Sequence, residues 1–409
     1  MDLTIHRGTD RVGGSCVEVS TASTRIIIDA GLLLEEEENV TIPPVSGLFS
    51  PGKPVDAILL SHAHADHSGL LSRTRSEIPV YLSQGTSKML MAAALYAKGA
   101  KLGRNREVIM KAGHRYRIGD LTVTGYSVDH SAFDSLAFLV EADGKRLVYS
   151  GDMRLHGRKP GMARILIKAA TAEPLNALVM EGTHFSRDGK PGKTERELEA
   201  EILQHFKSAP GLVLASFSPM NIDRLVGFYR AAKRSGRLFV VDVYGAFVMY
   251  LVSGQAKVPP PKSSEGVRVY FNRRRRRIGK IENRFLQNRI ELPEILAEPQ
   301  RYVMLFRPRM FADDFGGQIP EGSRCLYSYW SGYLDKPEWK ECVAVLKQAG
   351  AEVIPCHTSG HIFAQDILRF VNAIKPHKVV PIHTFAPEAF RRHFPNARLL
   401  KDEETWAVE

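Results

Sequence analysis

The pattern of apolar and polar positions divides the chain into two regions with different rhythms. In the first third, short β-rich runs alternate with turn residues, and CVEVSTASTRIIIDAG predicts a hairpin. VDAILLS predicts a strand, and VYLSQGTSKMLMAAALYAKG predicts a strand followed by a helix that ends with a cap at Gly99. The DG pair in LAFLVEADGKRLVYSGD predicts a tight turn between strands. Because helices interrupt these β-rich runs, we expect α/β layers with sheets in the middle.

From about residue 182 the pattern becomes a regular alternation of helices and strands. TERELEAEILQHFKSAPG predicts a helix in which Thr194 and Glu197 form a capping box. LVLASFS, MNIDRLVGFYRAAKRSG and LFVVDVYG then predict a strand, a helix and a strand. Such alternation favours βαβ units and a parallel sheet. After residue 356 the sequence predicts one more helix, the strand HKVVPIHT and a short tail.

Length and composition limit the class of protein. A chain of 409 residues exceeds the usual size of one hydrophobic core, which indicates two domains or one large elaborated domain. Hydrophobic residues make up 44% and charged residues 25%, an ordinary globular composition. The chain has no run of about 18 apolar residues, so we expect no membrane span. Its first ten residues, MDLTIHRGTD, do not form a secretory signal.

Cysteine usage and charge add the expected compartment and a class of partner. The four cysteines, Cys16, Cys325, Cys342 and Cys356, are widely spaced and form no C-x-x-C pair. This spacing favours buried thiols in a reduced, cytoplasmic protein over a disulfide framework. The formal net charge is +11, which weakly favours a polyanionic partner.

The strongest chemical signal is the stretch SHAHADHSG, directly after the predicted strand VDAILL. It spells H-x-H-x-D-H with His62, His64, Asp66 and His67. Spacing by two keeps His62 and His64 on the same side of an extended segment. Neutral imidazole and carboxylate are ligands that zinc accepts. We therefore interpret the stretch as a metal site rather than a solvated polar loop.

Three further runs end in a residue of metal-ligand type. His130 follows a β-rich run in YSVDHS, Asp152 ends LVYSGD, and His383 ends KVVPIHT. Each of them alone is more often a polar loop residue. Their recurrence after apolar runs makes a metal-binding role the better interpretation.

The order of these motifs resembles that of the metallo-β-lactamase fold hydrolases. MEGTH, SFSPMNIDRL, HTSGH and PIHT further resemble motifs of the β-CASP nucleases, the branch that includes ribonuclease J and the cleavage-and-polyadenylation endonuclease. The resemblance implies an αββα sandwich with an inserted parallel-sheet α/β domain. The boundaries it implies are 1–181 and 356–409 for the sandwich and 182–355 for the insertion.

The resemblance also implies roles for individual residues. Two Zn²⁺ ions per chain, with Mn²⁺ as the alternative metal, would be held by His62, His64 and His130, by Asp66, His67 and His383, and by Asp152 between them. The implied catalytic residues are Asp66, Glu181 and His361. His361 would be the general acid that protonates the leaving oxygen, and Glu181 would orient it. A structural role for each of these two remains an alternative.

Two features after His383 depart from the commonest nuclease form. Thr384 and Phe385 stand where glycine and glutamate are usual, so another group must orient the preceding ligand. We also expect the long C-terminal extension of ribonuclease J to be absent here. The oligomeric state is therefore left open, with a homodimer as one alternative.

Substrate contacts are less sharply indicated. Ser216 and Ser218 precede a predicted helix, where an anion is favoured, although plain N-capping by Ser218 is an equal alternative. Ser359 and Gly360 would form a flexible approach beside His361. Five consecutive arginines could grip a phosphate backbone or form a solvated surface; they are Arg273, Arg274, Arg275, Arg276 and Arg277.

Three other histidines lie near the proposed site in sequence. We interpret His156 as a surface loop residue, with a contact to substrate as the alternative, while His184 and His357 are candidates for lining a cleft.

The leading hypothesis is a two-zinc nuclease that hydrolyses RNA, with single-stranded RNA as the expected partner and cleavage that is endonucleolytic, 5′-exonucleolytic or both. His383 favours RNA, because a histidine at this position accompanies ribonucleases in the resembled family. The alternatives are a DNA-directed nuclease, a small ester or thioester hydrolase like glyoxalase II or a lactonase, and a catalytically dead RNA-binding protein. The predicted insertion, Glu181 and His361 argue against the ester hydrolase.

Overall fold

The structure is a computed structural model that describes residues 1–33, 40–185, 192–272 and 279–409. These residues divide into two compact units. The first is formed by Met1–Gly192 and Gly360–Glu409, and the second, the inserted unit, by Lys193–Ser359. The inserted unit thus begins later than the boundary at 182 that the sequence suggested. The arginine run 273–277 lies outside the described residues.

Within the described residues 1–33 and 40–185, the chain forms eleven strands and three α-helices. The strands are β1 (Asp2–Arg7), β2 (Cys16–Ser20), β3 (Arg25–Ile28), β4 (Ala57–Leu59), β5 (Val80–Ser83), β6 (Glu107–Met110), β7 (Arg115–Ile118), β8 (Leu121–Ser127), β9 (Leu136–Ala142), β10 (Lys145–Tyr149) and β11 (Ala177–Glu181). The helices are α1 (Ala65–Ser68), α2 (Gln84–Tyr96) and α3 (Gly161–Ala170).

The inserted unit alternates strands with helices, as its sequence predicts. Its strands are β12 (Val213–Ser216), β13 (Leu238–Asp242), β14 (Val267–Tyr270), β15 (Arg289–Ile290), β16 (Tyr302–Leu305), β17 (Arg324–Tyr327) and β18 (Glu352–Pro355). Its helices are α4 (Glu195–Ser208), α5 (Ile222–Arg234), α6 (Val243–Val252), α7 (Leu292–Ala297), α8 (Pro308–Asp313) and α9 (Pro337–Gln348). The strands form one parallel sheet in the order β15-β14-β13-β16-β12-β17-β18.

The last segment returns to the first unit. It consists of α10 (Ala364–Ile374), β19 (Lys378–Ile382), α11 (Pro387–His393) and β20 (Thr405–Ala407). Short 3₁₀ segments lie at Leu71–Arg73, Arg104–Arg106, Ser263–Glu265, Glu282–Asn288, Pro299–Arg301 and Ser331–Asp335. Within the described parts of the chain, no helix combines the length and the apolar content needed to cross a membrane.

Two sheets with helices on their outer faces build the first unit. One has the order β20-β1-β2-β3-β4-β5-β6 and the other the order β19-β11-β10-β9-β8-β7. A buried apolar cluster, which includes Leu3, Ile28, Val123 and Leu147, draws its side chains from both sheets. A second cluster joins the outer face of the sheet that contains β8 to β11 and β19 to the helices α3, α10 and α11. This layering confirms the predicted sandwich with a parallel-sheet insertion.

Several local predictions are confirmed, and one is wrong. Thr194 and Glu197 form the predicted capping box at α4, and β2 pairs with β3 in an antiparallel hairpin. The helix predicted to end at Gly99 ends instead at Tyr96. Lys98, with φ of +56°, takes the left-handed position there, and the Gly99 N–H donates to the carbonyl of residue 93 at 3.0 Å. All four cysteines are buried thiols.

Candidate metal centre

Strand ends bring the candidate ligands together in the first unit. The loop after β4 and helix α1 carry His62, His64, Asp66 and His67. The other candidates follow β8, β10 and β19 and are His130, Asp152 and His383. Because β10, β11 and β19 are neighbouring parallel strands, their carboxyl ends lie at the same edge of the sheet. The fold therefore collects residues that are up to 321 positions apart in sequence.

One group of candidate ligands consists of three histidines. The ligand atoms of His62, His64 and His130 lie within 4.8 Å of one another. His130 Nε2 is 3.1 Å from His64 Nδ1. His130 Nδ1 donates to the Gly360 carbonyl at 2.6 Å, which leaves Nε2 as the nitrogen that faces the group. This is the arrangement that a three-histidine metal site requires.

The second group contains two carboxylates and two histidines, all buried. Its members are Asp66, His67, Asp152 and His383, with ligand atoms again within 4.8 Å of one another. His383 Nε2 is 3.2 Å from Asp66 Oδ2, and His67 Nε2 is 3.1 Å from Asp152 Oδ2. His383 has a φ of +54°, a left-handed conformation that is costly for a residue other than glycine.

Asp152 lies between the two groups. Its Oδ2 is 3.8 Å from Nε2 of His62 and 3.8 Å from Nε2 of His130, both in the first group. The same atom is 3.1 Å from His67 Nε2 in the second group. One carboxylate oxygen therefore faces ligand atoms of both groups, as a ligand shared by two ions would.

Unpaired buried atoms test whether these residues fit a metal. His62 Nε2 and Asp152 Oδ1 are buried and make no hydrogen bond to a described residue, and His67 Nε2 and Asp152 Oδ2 face each other at 3.1 Å without a well-aligned hydrogen bond. An unsatisfied buried polar group costs about 1–3 kcal/mol, and more when it is charged. These four atoms converge on one place, where a cation would satisfy all of them. The donor set of imidazole nitrogens and carboxylate oxygens fits Zn²⁺.

The protonation of the histidines agrees with a metal site in the first group. Burial, reinforced by the neighbouring imidazoles, holds the pKa values of His62 and His130 well below the usual range. Both side chains therefore keep free lone pairs at neutral pH. For His67 burial acts in the same direction, but Asp152 and Asp29 outweigh it and raise the pKa. A metal at His67 Nε2 must displace that proton.

Asp29 orients His67 and was missed from the sequence. Its Oδ2 accepts hydrogen bonds from His67 Nδ1 at 2.7 Å, from the Ser61 hydroxyl at 2.8 Å and from the Tyr149 hydroxyl at 2.8 Å. The Ser61 hydroxyl also lies 3.0 Å from His62 Nδ1. Carboxylates that fix a ligand imidazole in this way are usual at zinc sites. The signal was present, because RIIIDAG places Asp29 directly after an apolar run.

Glu181 and His361 form a pair beside the second group. Glu181 is fully buried, and its Oε1 accepts from the N–H of Met153 at 3.0 Å. Its Oε2 lies 3.3 Å from His361 Nδ1. Burial opposes the charged imidazole, but Glu181 and Asp152 outweigh it and raise the pKa of His361 to about 9. His361 is 22% exposed, so the side chain with this raised pKa lies at the surface of the candidate centre.

His361 also meets the geometric condition for a metal ligand. Its ligand atom lies within 4.8 Å of those of Asp152, Glu181 and His383. The position of His361 therefore suits either a proton donor or a metal ligand, and only its chemistry can distinguish the two roles.

The predicted substrate contacts have different surroundings. Ser216 is fully buried, and its hydroxyl donates to the Phe306 carbonyl at 2.9 Å, so this hydroxyl is engaged within the fold. The N-capping alternative for Ser218 is wrong, because α5 is capped by Asn221, whose side chain accepts from the Arg224 N–H. Ser218 is half-buried, and its carbonyl accepts from the Asn221 N–H.

Ser359 ends the inserted unit, and Gly360 begins the return to the first unit. A Cβ at Gly360 would lie 2.3 Å from the hydroxyl oxygen of Ser131. Glycine therefore allows the chain to approach His130 closely enough for the hydrogen bond to its imidazole.

The other histidines are also placed. His156 was interpreted as a surface loop residue, and this is wrong: it is 7% exposed and stacks on Phe363 with the ring centroids 4.0 Å apart. The ring of His184 lies 5.5 Å from that of Phe363 and 6.4 Å from that of His361. His357, in the inserted unit, is exposed, and its Nδ1 is 3.2 Å from the Ser328 carbonyl.

Comparison with known families gives two matches. Residues 24–226 match a family described as beta-lactamase superfamily domain. Residues 350–395 match a family described as Zn-dependent metallo-hydrolase RNA specificity domain. The first range contains Asp152 and Glu181, and the second contains His361 and His383.

Curated relatives and a solved structure are also similar. An RNase J-like protein of Methanocaldococcus jannaschii is 27% identical over 59% of this chain and 57% of its own length. A Ribonuclease J of Corynebacterium glutamicum is 22% identical over 92% of this chain and 52% of its own length. The chain thus spans about half the length of these relatives. A crystal structure of a protein of unknown function from Enterococcus faecalis V583 covers 99% of both chains with a TM-score of 0.82 and 21% identity, which shows the fold.

Proposed function

Since this chain belongs to the metallo-β-lactamase superfamily, we propose that it is a metal-dependent ribonuclease of the β-CASP branch. The observation that carries the proposal is Asp152, which lies within 3.8 Å of ligand atoms in both groups and beside the Glu181–His361 pair. The Glu181–His361 pair adds a candidate proton donor for the alkoxide that leaves when a phosphodiester is cleaved. RNA is favoured as the substrate by the match of residues 350–395 and by the net charge of +11.

The metal complement proposed is two Zn²⁺ ions, with Mn²⁺ as the alternative. His62, His64 and His130 would hold one ion; Asp66, His67 and His383 would hold the other; Asp152 would be shared. Two bound ions supply positive charge that lowers the pKa of a water and stabilises the attacking and leaving oxygens of a phosphodiester.

The chain's own residues supply the proton. Against the effect of burial, Glu181 and Asp152 raise the pKa of His361 to about 9, which favours the protonated ring, and His361 would donate this proton to the leaving oxygen. Glu181 holds the ring through Nδ1 and stabilises its positive charge. The fully buried position of Glu181 and its bond from the Met153 N–H keep that carboxylate in place during turnover.

The proposed substrate is single-stranded RNA, cleaved internally, from the 5′ end, or both. The test incubates the metal-loaded protein with end-labelled RNAs that carry a 5′-monophosphate or a 5′-triphosphate, and with DNA of the same sequence. The lengths of the labelled products distinguish the two modes of cleavage: internal cleavage gives fragments of intermediate length, and stepwise removal from the 5′ end releases short 5′-terminal products. RNA left intact by protein that contains two metals per chain, together with rapid hydrolysis of a thioester, would overturn the proposal.

A further inference from the structure

Thr183 lies in a tight turn directly after β11, beside the candidate metal centre. In this turn the Gly182 N–H donates to the Ile382 carbonyl at 3.0 Å. A Cβ at Gly182 would lie 2.6 Å from the ring of Phe390 and 2.9 Å from the Cβ of Thr384. Only glycine allows the turn to pack this closely on the chain that follows β19. The position of the Thr183 side chain is therefore fixed by backbone packing.

The Thr183 hydroxyl touches two histidines of the centre. Its Oγ1 is 3.0 Å from His383 Nδ1 and 3.2 Å from His361 Nδ1. The same hydroxyl donates to the main-chain carbonyl of His383 at 3.4 Å. A hydroxyl has one proton and two lone pairs, so all three hydrogen bonds can be made at once. With its proton directed to the carbonyl, each lone pair can accept an N–H from one imidazole.

These hydrogen bonds fix the tautomer of His383. With the proton on Nδ1, the lone pair lies on Nε2, the nitrogen that is 3.2 Å from Asp66 Oδ2. The residues after His383 take no part in this. The Thr384 hydroxyl accepts from the Ala386 N–H at 3.0 Å, and Phe385 is 60% exposed. Thr183 therefore occupies the orienting role that the sequence left unassigned at this ligand.

The same hydroxyl fixes His361. The proton on His361 Nδ1 is shared between the Thr183 hydroxyl at 3.2 Å and Glu181 Oε2 at 3.3 Å. The proton that passes to a leaving group is then the one on Nε2, and Nδ1 keeps its own proton before and after the transfer.

We propose that Thr183 is a positioning residue, whose single hydroxyl sets the metal-binding nitrogen of His383 and the proton-donating nitrogen of His361 together. The proposal rests on the proposed function for the roles of these two histidines. It states that metal affinity and proton transfer are linked through one side chain that touches neither metal nor substrate.

The test compares Thr183→Val, which keeps the shape and removes the hydroxyl, with Thr183→Ser, which keeps the hydroxyl. Zn²⁺ affinity is measured by competition with a chromogenic chelator, and RNA cleavage is measured as kcat and KM. Removing such an orienting partner typically costs about 10- to 100-fold in metal affinity or activity. We expect Thr183→Val to lose about this much in affinity and in kcat, with KM unchanged, and Thr183→Ser to stay within about threefold of wild type.

A matched control and a double variant separate positioning from packing. Thr384→Val removes a neighbouring buried hydroxyl whose bond goes to the backbone of Ala386, and it should leave Zn²⁺ affinity within about threefold. In a His361→Ala background, Thr183→Val should lower Zn²⁺ affinity as before but cause no further loss of kcat measured at saturating Zn²⁺. A merely structural threonine would lower kcat equally in both backgrounds.

Wild-type affinity and turnover in Thr183→Val would overturn the proposal, and so would a Thr183→Ser variant as impaired as Thr183→Val. If Thr183→Val does not fold, Thr183→Ala is measured against Thr183→Ser by the same criteria. The affinity measurement needs no RNA. A wild-type protein that binds Zn²⁺ but cleaves no RNA would therefore refute the proposed function, while the affinity of Thr183→Val would still decide the role of Thr183.

Discussion

Replacing His361 with alanine separates the two roles that its position allows. As a proton donor, His361 contributes to the leaving step and leaves the candidate ligands intact. Against the effect of burial, Glu181 and Asp152 raise the pKa of His361 to about 9, which favours the protonated ring that a proton donor needs. General acids contribute about 10²- to 10⁴-fold, or about 3–5 kcal/mol of transition-state stabilisation. We therefore expect a loss of kcat in this range for His361→Ala.

The assay uses two RNAs of the same sequence, one ordinary and one with sulfur in place of the leaving oxygen. A thiolate leaves without protonation, so His361→Ala should recover most of its loss on the sulfur substrate. Metal content, measured by elemental analysis, should stay at the wild-type value. His114→Ala is a suitable control, because His114 is an exposed histidine of the same unit, and this variant should match wild type on both substrates.

The outcomes distinguish the roles clearly. Loss of metal from His361→Ala, with equal impairment on both substrates, would make His361 a ligand and refute the proton-donor role. Equal impairment on both substrates at full metal content would make it a structural residue, which also contradicts that role.

Three further changes have defined expectations. Asp152→Ala should lower bound metal, as measured by elemental analysis, and abolish RNA cleavage, because one carboxylate serves both groups; two metals per chain at wild-type activity would contradict this. Serine in place of the arginine run 273–277 should weaken RNA binding and reduce the slope of log K against log salt by about 0.7 for each phosphate that is no longer neutralised; an unchanged slope would assign the run to a solvated surface. Burial opposes the ionisation of Glu18, but hydrogen bonds from His6 and Arg25 lower its pKa to about 2. Glu18 therefore stabilises the folded state above its unfolded pKa of about 4.5, and this stability is lost as the pH falls towards 2. Glu18→Gln should lower the Tm at pH 7 and reduce the fall of Tm between pH 4.5 and 2. Parallel Tm curves for the variant and the wild type would contradict this.

The candidate ligands could be found from sequence because each follows its strand directly. A polar residue of ligand type after a buried apolar run is a local pattern, as with Asp152 after LVYSG. The sheet order then brings such strand ends together, since parallel neighbours end at one edge. The capping box at Thr194 was equally local, because both of its partners lie within four residues.

The residues that orient the ligands depend on long-range packing that the sequence does not display. Thr183 acts on His383, 200 positions later, and nothing about an isolated threonine indicates this. His156 was misplaced for the same reason, because its stacking partner Phe363 is 207 positions away. Asp29 is the exception, since it follows an apolar run and the rule that selected Asp152 would also have selected it.

The predicted C-terminal cap of α2 was wrong because a non-glycine residue takes the left-handed position. Glycine usually takes the left-handed position after a helix, so Gly99 was the natural choice. In the structure Lys98 takes that position, one residue earlier. A Cβ at Gly99 would lie 2.6 Å from the Cβ of Ala93, so glycine is needed there for close packing against the helix rather than for its dihedral angle.

Metal titration with RNA cleavage as the readout tests the central claim most directly. Chelator-treated protein receives Zn²⁺ in steps, and bound metal per chain and kcat on end-labelled RNA are measured on the same samples. We expect no cleavage without metal, and activity that reaches its maximum at two ions per chain. Cleavage by the metal-free protein, or intact RNA at two ions per chain, would contradict the central claim. That claim is that seven side chains form the metal centre of a ribonuclease: His62, His64, Asp66, His67, His130, Asp152 and His383.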